Sequence, residues 1–183
     1  MFKINRLFLL LGVTLACLTG CDNNEDDPKI DNEEEVITTV TLSLTSNTAQ
    51  QATATWKDAD GSGGNAPVIQ TLTLKANTTY DGTVKLQNER ANPVTNISDE
   101  VLDEGVDHEF FYEISGANLT VVKTDKDAKN LPIGLTGTFT TGAAGSGTLT
   151  VILKHKPGQK AAGDTKAKGG TDVEVTFPVT ISD

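Results

Sequence analysis

The sequence is poor in the residues that usually announce chemistry. Its 183 residues include two Cys, one Met, one Trp, two Tyr and two His, and the arginines are Arg6 and Arg90. Acidic residues outnumber basic ones, 25 against 15, for a net charge of −10. Nucleic acid is a poor partner for such a chain, because neutralising phosphates takes clustered Lys and Arg. Two His leave little material for acid–base catalysis near neutral pH. There is no Walker loop, HExxH, GxSxG or CxxC, and no nucleophile–base pair can be assigned. Asp99, Glu100, Asp103, Glu104 and Asp107 lie on a short polar segment that reads as solvated, not as the carboxylate pair of a glycosidase cleft. Sparse aromatics also weaken a sugar-binding platform. The expectation is a protein that is not an enzyme.

What is present begins with an address. Residues 1–20 have the three parts of a secretory signal. Lys3 and Arg6 form the positive start, and Leu7–Leu15 is an apolar run too short for a membrane span, which needs about 20 residues. Leu18-Thr19-Gly20-Cys21 then resembles a bacterial lipobox, cleaved before Cys21. Cys21 would become the lipidated first residue, and a diacylglyceryl group with a further acyl chain anchors stably. Cys17 leaves with the signal, so the mature domain has no disulfide. Loss of Lys3 and Arg6 takes the net charge from −10 to about −12.

Residues 21–35 carry Asp22, Glu25, Asp26, Asp27, Asp31, Glu33, Glu34 and Glu35 around Pro28. Such a stretch cannot bury a face and reads as a flexible tether. About 14 residues span roughly 45–50 Å when extended. Acids clustered behind the lipidated Cys resemble the surface-export signal of Bacteroidota lipoproteins. Asp22 directly after Cys21 instead resembles the inner-membrane retention signal of enteric bacteria. The clustering favours the first, an outer-membrane protein facing the cell surface.

From Val36 to Asp183, period-two alternation dominates. Val40, Leu42 and Leu44 alternate with Thr and Ser, as do Ala52, Ala54 and Trp56 with Thr and Lys. The same pattern recurs at Leu72 and Leu74, at Val84 and Leu86, and over 108–115, 119–124, 135–141, 148–155 and 172–181. That gives about nine strands, each with one wet and one buried face. Turns carry Gly, Asn and Asp, as at Asp60-Gly61 and Asp81-Gly82. A short helix over 98–104 would be capped by Ser98 and ended by Gly105. These features predict an all-β, antiparallel, immunoglobulin-like sandwich, with a closed barrel as second choice. Pro178, inside the last strand, predicts an edge or a bulge there.

Three groups are candidate sites. Asp58, Asp60 and Ser62, with Gly61 and Gly63, resemble a calcium loop, although the twelfth position holds Ile69 where an EF-hand needs Glu. Asp125-Lys126-Asp127 is a weaker echo. His108 begins one apolar strand face and His155 ends another. Antiparallel neighbours would bring them to one rim, where His with carboxylate suits zinc or copper, and two His could also flank haem iron. Finally, Lys156, Lys160, Lys166 and Lys168, with Lys154, lie in or beside a loop over 156–170 that could meet an anionic ligand or an acidic partner.

The layout resembles small outer-membrane lipoproteins of flavobacteria and relatives. The segments that carry the resemblance are 33–38, 108–112, 125–134, 148–157 and 169–177. That group is loosely labelled as type 1 periplasmic-binding-fold proteins. The label implies a two-lobed α/β fold, for which this chain is too short and too rich in strands. The resemblance also implies help for a TonB-dependent receptor in nutrient or metal capture. The functional expectation is a tethered binding module, and the alternative is a structural or adhesive surface lipoprotein without a small ligand.

Overall fold

The computed structural model describes residues 35–61 and 63–183. The signal segment, Cys21, the tether up to Glu34 and Ser62 lie outside the described residues. Eleven strands and one helix follow in the order β1 (Thr39–Ser46), β2 (Gln51–Lys57), β3 (Val68–Ile69), β4 (Leu72–Lys75), β5 (Thr79–Asn88), β6 (Thr95–Asn96), α1 (Ile97–Asp103), β7 (His108–Ser115), β8 (Leu119–Lys123), β9 (Thr136–Thr141), β10 (Gly145–His155) and β11 (Gly170–Ser182). They form two sheets. One has seven strands in the order β3-β2-β1-β5-β9-β8, with β6 also paired to β5, and the other has four, β4-β11-β10-β7.

Alternation builds the core. In β1, Val40, Leu42 and Leu44 are buried, while Ser43 and Thr45 face water. In β11, Val173, Val175, Phe177, Val179 and Ile181 are buried, and Glu174, Thr176 and Thr180 between them are exposed. Residues from both sheets join one hydrophobic cluster, in which Tyr80, Phe110, Phe139 and Phe177 are the largest fully buried hydrophobic side chains. Gly82 occupies an inward position of β5 because Phe139 lies across it. A Cβ built there would stand 2.5 Å from the ring.

The expected architecture is corrected in several details. The sheets do not close into a barrel. The pairing is not wholly antiparallel, since β4 runs parallel to β11 over Val179–Ser182. The helix spans Ile97–Asp103 and is led by Asn96. Ser98 is not its cap; its Oγ accepts the Leu86 N–H of β5 at 2.7 Å, tying helix to sheet. Ile97 and Val101 are the helix's buried side, one turn apart. Pro178 stands opposite Thr148 of β10, and β4 joins only from Val179, so β11 has an open edge up to the proline. The bulge of this strand lies elsewhere. Leu153 and Lys154 of β10 face Val173 and Thr171, which leaves Asp172 as the extra residue.

Candidate metal centre

His108 opens β7 and His155 closes β10, and the two are directly paired in the antiparallel register. Residues opposed in this way bring their Cβ atoms within about 4.5–5.5 Å on one face. The imidazoles stack face to face, with centroids 4.6 Å apart and planes 9° from parallel. Gly169 lets the chain return beside His155, since a Cβ there would lie 2.3 Å from the His155 carbonyl oxygen.

Glu104, just past the end of α1, completes a triad. One ligand atom from each of Glu104, His108 and His155 lies within 4.8 Å of the others, the group among the described residues with metal-binding spacing. Tetrahedral zinc with bonds of about 2.0–2.1 Å holds its ligand atoms roughly 3.3 Å apart. The rings need only splay slightly and draw in to meet one ion. Glu104 is about half-exposed, so the site opens to water on that side.

The protonation of His108 suits this use. The residue is 1% exposed. Burial, then the neighbouring His155, push its pKa below the usual value, against the opposing pull of the Glu104 carbonyl and the charges of Glu104 and Asp107. Neutral imidazole is the form that binds metal. The ring meets oxygen at both ends. Nδ1 is 3.3 Å from the Glu104 carbonyl and 4.0 Å from its carboxylate, and Nε2 is 3.8 Å from Asp172 Oδ2. A neutral ring carries one N–H and can serve only one end. Nε2 has no hydrogen-bond partner. A cation on Nδ1 and a proton on Nε2 aimed at Asp172 would satisfy both ends, the arrangement in which a carboxylate orients a metal-bound imidazole. Two imidazoles and a carboxylate match zinc first and copper second. Haem is excluded by the stacking, because axial imidazoles face each other across the iron whereas these rings leave no gap for a macrocycle.

Three acids near the pair, Glu104, Asp172 and Glu35, were not among the expected site residues. Asp172 reaches His108 because the bulge sets it apart from the strict alternation of β11. Glu35, read from sequence as tether, is half-buried here. Burial, followed by the charges of Glu100, Asp172 and Glu104, raises its carboxyl to about 7. The one hint available in the sequence was an Asp at the start of a strand, where Asp is disfavoured.

The other candidates are arranged differently. Asp58 Oδ1 accepts the Gly61 N–H at 2.8 Å, and Asp60 Oδ2 accepts the Asn65 N–H at 2.9 Å and its side-chain amide at 2.6 Å. The Asn65 N–H, then its amide, hold Asp60 below the usual carboxylate range. These carboxylates shape turns, and among the described residues they are not gathered with other acids at metal spacing. Asp125 accepts the Gly134 and Thr136 N–H groups.

The lysine loop is not an open basic patch, because it is pinned by ion pairs. Lys156 is fully buried and pairs with Glu109, which also takes Lys123 at 2.5 Å. Both ammonium groups sit over the Phe111 ring, 4.7 and 4.9 Å from its centre. Lys160 is buried against Asp127 at 2.8 Å and donates to the Gly105 carbonyl. Burial raises the Asp127 carboxyl, but Lys160 and the Leu131 and Lys129 N–H groups outweigh it and hold the group below its usual value. Lys154 donates to Thr171 Oγ1 at 2.7 Å. Only Lys166, paired with Glu113, and Lys168, paired with Asp164, reach solvent.

The class defined so far is a two-sheet, mostly antiparallel β-protein with a histidine–carboxylate cluster at one sheet end. Comparison with known proteins adds no relative: no family model, curated protein or solved structure matches this chain.

Proposed function

We propose that this protein is a lipid-anchored binding module of the bacterial outer membrane, facing the cell surface, that captures a divalent transition metal. In this reading the two sheets form an immunoglobulin-like sandwich, anchored through Cys21. The observation that carries the reading is the stacked His108–His155 pair with Glu104 in reach and a buried, unpartnered Nε2 on His108. A buried ring nitrogen without a hydrogen bond is costly unless something binds the imidazole and settles its proton on that side. The acidic surroundings of the pair add attraction for a cation. The role is capture and transfer, with a TonB-dependent receptor as the recipient. The open Glu104 side provides an exit for the ion.

The test is calorimetric titration of the full chain in detergent with Zn²⁺, Cu²⁺ and Ca²⁺. One zinc or copper ion per chain is expected, with calcium not competing, and His108→Ala is expected to abolish the binding heat. Absence of stoichiometric zinc and copper binding would overturn the metal reading and favour a structural or adhesive surface lipoprotein. Affinity capture from solubilised outer membrane then tests the receptor.

A further inference from the structure

Residues 22–183 contain no sulfur, since the sulfur atoms of the sequence are those of Met1, Cys17 and Cys21. The domain therefore offers a metal nitrogen and oxygen alone. Cu⁺ is a soft ion that prefers thiolate and thioether donors, whereas imidazole and carboxylate suit Zn²⁺ and Cu²⁺. The placing of the donors points the same way. His108 and His155 are opposed in the β7–β10 register, with rings 4.6 Å apart and within 9° of parallel. Strand pairing fixes both Cα atoms, and His108 is 1% exposed, which leaves its ring no room to swing out. The two imidazoles thus meet an ion side by side, with Glu104 as the third donor. Two-coordinate Cu⁺ needs its nitrogen donors in line, on opposite sides of the ion. The Glu104 carboxylate, 4.0 Å from His108 Nδ1, also attracts a divalent ion about twice as strongly as a monovalent one at the same distance.

Resting on the metal reading above, we propose that the Glu104–His108–His155 centre selects copper by oxidation state, holding Cu²⁺ and releasing it on reduction to Cu⁺. The step is a one-electron transfer. An ene-diol reductant of the ascorbate class gives up one electron and one proton, the proton going to water, and becomes its radical. Cu²⁺ takes the electron and leaves as Cu⁺. His108 and His155 remain as neutral imidazoles and Glu104 as a carboxylate, and no bond within the protein is made or broken. Zinc has no such step, because Zn²⁺ is not redox-active. Copper then has a release signal that zinc lacks.

The experiment is competition titration of the full lipidated chain in detergent, against bicinchoninate for Cu⁺ under nitrogen and against glycine for Cu²⁺. Wild type is expected to hold Cu⁺ at least about 100-fold more weakly than Cu²⁺, as a site of hard and borderline donors should. Glu104→Met puts a thioether at a half-exposed position just past α1 and is expected to narrow that ratio about tenfold or more. A second measurement uses wild type alone. Protein loaded with Cu²⁺ or with Zn²⁺ is treated with ascorbate under nitrogen and desalted. Copper is expected to be lost and zinc retained, which separates release by reduction from damage to the site. Wild type that holds Cu⁺ as tightly as Cu²⁺, or that binds Zn²⁺ but not Cu²⁺, would overturn the redox release and leave the metal reading intact. No binding of either divalent ion would overturn both.

Discussion

His108 and His155 stand opposite each other across β7 and β10, their rings stacked 4.6 Å apart. If one ion joins them, their contributions are not independent. Each single His→Ala variant should lose about 100-fold or more in zinc affinity, and the double variant little beyond either single one, because ligands of one site are strongly coupled. Competition with a chromophoric chelator measures this. Additive losses would mean two separate weak contacts.

That pair was legible in the sequence because both histidines end apolar alternations, so strand pairing alone aligned them. The other members were hidden for physical reasons. Glu104 sits in a run of acids that composition reads as solvated. Asp172 is aimed by a bulge, and a bulge is a property of two strands together. Glu35 lies in an acidic stretch whose last residue packs against distant elements. The strands of four or more residues followed from period two, while Val68–Ile69 and Thr95–Asn96 are too short to show a period. The parallel β4–β11 contact joins segments about a hundred residues apart. Lys156 and Lys160 looked like free charge because their partners, Glu109 and Asp127, lie far back in the chain.

The Glu35 carboxyl makes metal-free stability depend on pH. Its pKa is near 7 in the folded protein and 4.5 ordinarily. Between those values the folded state holds the extra proton, so stability falls as pH rises from about 4.5 to about 7. Glu35→Gln removes this term. In chelator, the melting temperature of the variant relative to wild type should rise across that window and level off above it. Glu35 is only partly buried, and solvent screening limits the effect to about 1 kcal/mol or less. A constant difference from pH 4.5 to 8 would contradict the assignment.

Lys160→Ala should be strongly destabilising. It leaves Asp127 enclosed without its cation and frees the Gly105 carbonyl. Breaking a buried pair from one side costs about 3 kcal/mol or more. Lys166→Ala, which breaks the exposed pair with Glu113, should leave the denaturation midpoint nearly unchanged. Urea unfolding of both variants checks the contrast, and equal midpoints would refute it.

Gly82→Ala should cost about 1–3 kcal/mol, the usual range for overpacking. The added methyl meets Phe139 at 2.5 Å and Leu44 at 3.3 Å. A urea midpoint at the wild-type value would show that this core yields more readily than its packing implies.

Cys21→Ala should abolish acyl labelling and move the protein into soluble fractions. The motive is the Leu18–Cys21 lipobox. Undiminished labelling would remove the anchor from the account.

The most direct measurement of the central claim is the zinc K-edge X-ray absorption spectrum of the loaded full chain. The expected spectrum shows imidazole scattering from two histidines and oxygen ligands at about 2.0–2.2 Å, and the imidazole signal should vanish in the double variant of His108 and His155. A spectrum without imidazole, or one unchanged by the double substitution, would contradict a metal centre at this rim.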